Sequence, residues 1–224
     1  MGNLHITIQV PPALYIKNPD TSALGRKIIK GAIELIDRLG FENFTFKKLG
    51  EYIKVPESSI YRYFKNKHLL LFYLINWYWN WLDYKVYLST INIENPDKKL
   101  ENILNLVLGD IDEDRVFSHI NEKALSKIIP SESVKVFYNK QIEEEKKQGF
   151  FEGYKSLIKR ISGVILEINP AYPFPQLLST TILEGINRER YYDEHLPSLI
   201  DKTTDQPLID FYKHLIFNSL KQTK

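Results

Sequence analysis

The 224-residue chain has no cysteine and only one methionine. The missing thiols exclude a disulfide framework, thiol nucleophiles, iron–sulfur ligation and every cysteine-based zinc site. Long apolar runs are missing too. The most apolar stretch, Leu69 to Leu82, is interrupted by Asn76 and Asn80. It is shorter than the roughly 20 residues a spanning helix needs. No cationic segment leads into an apolar run, so no secretory leader is expected. The opening Met1-Gly2 lacks the Ser or Thr of a myristoylation signal, since Ile6 stands there. The expectation is a cytoplasmic protein with no membrane partner.

Catalytic and metal-binding patterns are absent as well. No histidine has a glutamate three residues before it, and there is no His-Glu-x-x-His. Asp110 to Asp114 opens like a calcium loop, but Arg115 replaces the required Gly and Asn121 the required Glu. It is expected to be a helix-capping acidic turn. No glycine-rich loop is built to cradle a phosphate. The expectation is therefore no enzyme, no cofactor and no metal.

The chain does have the composition of a folded, core-forming protein: 43% hydrophobic, 26% charged and 13% aromatic residues. The net charge of +2 hides an asymmetry. Residues 1–70 carry eleven Lys and Arg against six acids, a balance of +5, and the remainder carries 19 against 22, a balance of −3. A basic first third on an acidic body points to a nucleic-acid-facing head.

Helical periodicity runs along most of the chain. Residues 1–20 form an arm in which His5 to Val10 alternates like a short strand before Pro11-Pro12. A helix capped by Thr21 or Ser22 follows, with Ile28, Ala32, Leu35, Ile36 and Leu39 on one face and Gly40 at its end. Thr45 caps a helix over 46–53, Pro56 starts a short one over 57–63, and a long aromatic-rich helix spans His68 to Leu88. Further helices are expected over 96–108, 112–128, 132–148, 154–168, 175–192 and 208–220, with Pro130 separating the third from the second. The domain reading is an arm (1–20), a helix-turn-helix domain (21–67) and a helical body (68–224).

The segment Thr45 to Phe64 has helix-turn-helix spacing. Leu49, Ile53, Val55 and Ile60 supply the packing, and Gly50 is small where the two helices meet. The second helix then presents an exposed face to a major groove. Ser58, Ser59 and Arg62 are suited to base edges, and Lys47, Tyr61, Tyr63, Lys65 and Lys67 to the backbone.

Arg26 to Leu70, and above all Ile60-Tyr61-Arg62-Tyr63-Phe64-Lys65-Asn66-Lys67, resembles the TetR/AcrR family of transcriptional regulators. The resemblance implies an all-α protein, with an N-terminal three-helix DNA-binding domain and a C-terminal helical domain for ligand binding and dimerisation. It implies a homodimer on a double-stranded DNA operator, with Thr45, Tyr61 and Lys67 on phosphates and Ser58 and Ser59 at the start of the recognition helix. It also implies a repressor released by a small-molecule inducer. Three positions depart from the family pattern. Lys54 stands where the turn usually has Gly, Pro56 where the recognition helix usually has a capping Ser or Thr, and Glu57 follows it.

In the body, Tyr73, Trp77, Trp79, Trp81, Phe117, Phe137 and Tyr138 are the aromatic set available to line an apolar pocket. The same stripe is ordinary core if no pocket opens. Leu178, Ile182, Gly185, Phe211 and Leu215 are the expected dimer contacts on the last two helices, which would form a four-helix interface with a partner's pair. The rival reading, carried by Lys54, Pro56 and Glu57, is a helical protein-interaction module that kept this architecture and lost DNA binding.

Overall fold

The computed structural model describes residues 6–109, 111, 115–137, 149–201 and 206–221. Among these residues every regular element is helical. The helices are α1 (Ala23–Asn43), α2 (Phe46–Ile53), α3 (Glu57–Tyr61), α4 (Lys67–Thr90), α5 (Pro96–Leu108), α6 (Glu122–Phe137), α7 (Glu152–Ile168), α8 (Pro175–His195) and α9 (Pro207–Lys221). None is long and apolar enough to cross a membrane. The chain divides into two compact units, residues 1–80 with 111–152 and residues 81–110 with 153–224. α6 and the first part of α4 stand in the first unit, with the N-terminal helices.

In the first unit, α1 begins where the Ser22 hydroxyl accepts from Gly25 N–H at 3.1 Å. Its regular part ends at Gly40, whose φ of 71° is a left-handed conformation that glycine adopts without a Cβ clash. Ile28, Ile29, Ala32 and Ile33 are fully buried. Thr45 caps α2 by accepting from Lys48 N–H at 3.2 Å. Between α2 and α3, a Cβ on Gly50 would come within 2.7 Å of the Val55 carbonyl oxygen, so the tight turn needs a residue without one. Lys54 closes that turn in the left-handed region, at φ 55° and ψ 53°. This conformation costs a non-glycine residue about 1 kcal/mol.

The alternation of residues 6–10 appears in burial, with Ile8 and Val10 inside, but no strand forms. No second strand lies beside it among the described residues to complete a ladder. The following segment is pinned rather than loose: Leu14 is fully buried, and Ile16 N–H donates to the Tyr63 carbonyl at 2.7 Å.

Asn66 caps α4 by accepting from Leu69 N–H at 2.9 Å. Residues 70–79 are all buried, as befits a helix apolar on every side. Asn76 and Asn80 are accommodated by donating to the carbonyls of Phe72 and Asn76, four residues back, at 2.9 and 2.8 Å. α6 runs without interruption through Pro130, where a break was expected. A proline removes one backbone hydrogen bond, and here the turns on either side carry the helix past it. The Glu132 carboxylate, buried, accepts from Phe41 N–H at 3.4 Å. The expected acidic turn at 110–114, apart from Ile111, and the end of the expected 132–148 helix lie outside the described residues.

In the second unit, Asn95 caps α5 at 3.0 Å. Arg160 of α7 grips Asp83 through Nε and Nη2 at 2.6 and 3.0 Å. Ser162 and Ser179 share a buried hydrogen bond of 2.9 Å between α7 and α8. Asn169 Nδ2 donates to the Leu220 carbonyl at 2.9 Å, which ties α9 down.

Candidate nucleic-acid interface

α2, α3 and their flanking residues carry a set of exposed polar side chains. Thr45, Lys47, Ser58, Tyr61, Arg62 and Lys65 are exposed and Ser59 is half-buried. Ile60, whose side chain is fully buried, anchors α3 from the opposite side. The Tyr61 ring meets Phe46 edge-on at 5.1 Å, so a tyrosine that is 48% exposed is nevertheless held in place. At the start of α2, the Thr45 side chain and carbonyl accept from Lys48 and Leu49 N–H. Among the described residues nothing accepts from the N–H groups of Phe46 and Lys47. These donors and the helix dipole make that terminus a seat for a phosphate.

α3 has no side-chain cap, because Pro56 supplies none. Glu57 instead places a carboxylate in the first turn, where it complements the positive end of the helix. That gives Glu57 a local role independent of any base.

Two of the expected contact residues have other work. Tyr63 is buried, 3% exposed, and its hydroxyl pairs with the Ser22 hydroxyl at 2.8 Å. It is a core tyrosine that locks the start of α1 to the end of the α3 segment. The alternation Tyr61-Arg62-Tyr63 misleads here, because the chain leaves α3 after Tyr61 and turns the second ring inward. Lys67 donates from Nζ to the carbonyl oxygens of Phe41, Glu42 and Phe44 at 3.1, 3.3 and 3.1 Å. Its three protons are therefore committed to carbonyls at the end of α1.

Sequence reasoning missed several supporting residues. Lys48 donates to the Asn43 carbonyl at 2.8 Å, which braces the loop before α2. Tyr52 donates to Glu34 at 2.9 Å and lies under Arg38, which joins α2 to α1. The Glu34 hydrogen bond raises the Tyr52 pKa above its ordinary value. No spacing rule marks these residues, because each bond crosses between elements.

The aromatic set does not assemble into one pocket. Tyr73 packs against Phe64 at 5.5 Å and Tyr15 at 6.1 Å. Its hydroxyl donates to Asp20 at 3.0 Å. Burial first, and then the Asp20 charge, push its pKa well up. Tyr73 is core. Trp77 and Phe117 meet edge-on at 5.3 Å and border a cleft of about 280 Å³ in the first unit. Asp20, Arg26 and His119 share that cleft, with His119 Nε2 at 2.9 Å from Asp20. Trp79 is buried in the first unit, and Trp81 is buried in the second. The Phe137 side chain and Tyr138 lie outside the described residues.

The expected dimer contacts also divide. Ile182 is buried within its own unit, 1% exposed, and Leu178 is half-buried. A Cβ on Gly185 would collide with the Tyr212 hydroxyl, so Gly185 makes room for the chain's own last helix rather than for a partner. Phe211 and Leu215 are exposed, together with Phe174 and Leu177, which were not foreseen.

Residues 28–74 match the family model described as bacterial regulatory proteins, tetR family. Residues 28–74 form a tetR-family domain. No curated protein matches the sequence. Solved structures share the fold at low identity. A TetR-family regulator from Rhodococcus RHA1 is 14% identical with a TM-score of 0.62, over 89% of this chain and 96% of that one. AibR, solved with isovaleryl coenzyme A and operator DNA, is 16% identical with a TM-score of 0.61, over 86% and 98%. A structure described as the superantigen PfiT is 15% identical with a TM-score of 0.61, over 92% and 100%. Structures of this fold thus carry different descriptions.

Proposed function

We propose that the protein is a cytoplasmic, homodimeric transcriptional regulator that represses from a double-stranded DNA operator and is released by a small-molecule ligand. The observation that carries this reading is the face built by Thr45, Lys47, Ser58, Ser59, Tyr61, Arg62 and Lys65. It combines a helix terminus for phosphate, a braced aromatic ring and free cations on a helix-turn-helix scaffold. Arg62 and the two serines are the base-reading candidates, while Thr45, Lys47, Tyr61 and Lys65 position the backbone. The exposed apolar residues Phe174, Leu177, Phe211 and Leu215 support a second copy packing against α8 and α9. A two-fold dimer would set two α3 helices about 34–36 Å apart on successive major grooves. A ligand that favours a different spacing lowers DNA affinity by its preference for that state. AibR, crystallised with both an acyl coenzyme A and operator DNA, supports a ligand-responsive reading.

The test is selection of binding sites from genomic DNA followed by mobility shift. A preferred sequence, lost with Tyr61→Ala and Arg62→Ala, is expected. Equal binding to random duplex, unchanged in both variants, would overturn the reading. The second reading, a helical protein-interaction module, is favoured by Glu57 on the face that would meet DNA and by the PfiT likeness. Salt separates the two. A DNA reader loses affinity steeply as salt rises, whereas a module shows no salt-sensitive retention on DNA.

A further inference from the structure

Gly163 stands in the interior of α7, and no atom lies within 4 Å of where its Cβ would be. Glycine weakens a helix interior more than any residue except proline. Nothing in the packing of the described residues requires it at this position. It lines an open groove of about 430 Å³ formed by the end of α4, the start of α5 and α7, a size in the range of small-molecule sites.

The groove is lined by more bases than acids. It contains Lys99, Lys159 and Arg160 against one acid, Glu167. The chain beyond residue 70, by contrast, carries 19 bases against 22 acids. Lys159 is exposed and has no partner among the described residues. Asp83 holds Arg160 by Nε and Nη2 and accepts from Ser156 at 2.9 Å, which leaves the Nη1 edge available. The guanidinium is further fixed 5.1 Å from the ring centre of Tyr87. Tyr87 and Ile91, 41% and 51% exposed, form an apolar wall beside these cations.

We propose that this groove binds a small organic anion, a phosphate ester with a flat or apolar body. The phosphate sits between Lys159 and Arg160, and the body lies on the bare backbone at Gly163 against Tyr87 and Ile91. Glu167, which holds Lys99 at 2.6 Å, competes with the ligand for that ammonium. The site is separate from the Trp77–Phe117 cleft. It stands whether or not α3 reads DNA.

Calorimetric titration of the full chain with phenyl phosphate, inorganic phosphate and phenol tests it. Phenyl phosphate is expected to bind one per chain, at least about tenfold tighter than either fragment. Lys159→Gln should weaken it about tenfold and Glu167→Gln should tighten it. Gly163→Ala should raise the unfolding temperature yet weaken binding, a pairing that a merely structural glycine would not produce. No saturable binding of phenyl phosphate, equal affinity for phenol, or affinity unchanged across the three variants would each overturn the proposal.

Discussion

The Lys67 ammonium donates to the carbonyl oxygen of Phe41 at 3.1 Å and lies 4.6 Å from the centre of the same residue's ring. Glu42 and Phe44 supply two more carbonyls. A lysine at the start of α4 therefore acts as a cap for the end of α1. Replacing it by Gln removes one of three donors and the charge that complements the helix terminus. Lys67→Gln should lower stability by about 1–2 kcal/mol, read as a shift in the denaturant midpoint.

Tyr63→Phe separates core from interface. It deletes the hydroxyl paired with Ser22 and leaves the Ser22 cap on Gly25 intact. The expected cost is about 0.5–1.5 kcal/mol in chemical unfolding, with DNA affinity unchanged. A loss of DNA affinity without a loss of stability would return Tyr63 to the interface.

Arg62 and Lys65 should fail in different ways. Arg62→Ala should weaken binding to the preferred operator by about 1–3 kcal/mol and relax discrimination at one base pair. Lys65→Ala should weaken all duplexes alike and reduce the slope of log affinity against log salt by about one. Anisotropy titrations at several salt concentrations distinguish the two patterns.

The proposed dimer rests on the exposed apolar residues, not on the buried ones. Leu177→Glu with Phe211→Glu should give a monomer by light scattering while helicity is retained, because both side chains lie on the surface of their own unit. Gly185→Ala should behave otherwise. Its methyl group would press on Tyr212, so about 1–3 kcal/mol of stability should be lost, whatever the oligomeric state.

The local features of the head were legible from residue order. Ser22 and Thr45 cap because a hydroxyl oxygen beside a helix start is within reach of free N–H groups. Gly50 and Lys54 follow from the tight turn between two amphipathic helices. The pattern from Tyr61 to Lys67, combined with the basic first third, pointed to a nucleic-acid surface. The break expected at Pro130 does not form: α6 runs through it, with Glu132 accepting from Phe41 N–H two residues on.

What residue order determined, then, is the helical class, the caps, the turn and the side of the molecule that carries positive charge. These depend on neighbours within four or five positions. The tertiary structure alone decided which side chains remain available. Tyr63 is turned inward, Lys67 is spent on carbonyls 23 to 26 positions away, and Gly185 is filled by Tyr212. Availability is a property of what packs against a side chain. Those partners come from distant parts of the chain, where short-range periodicity carries no information.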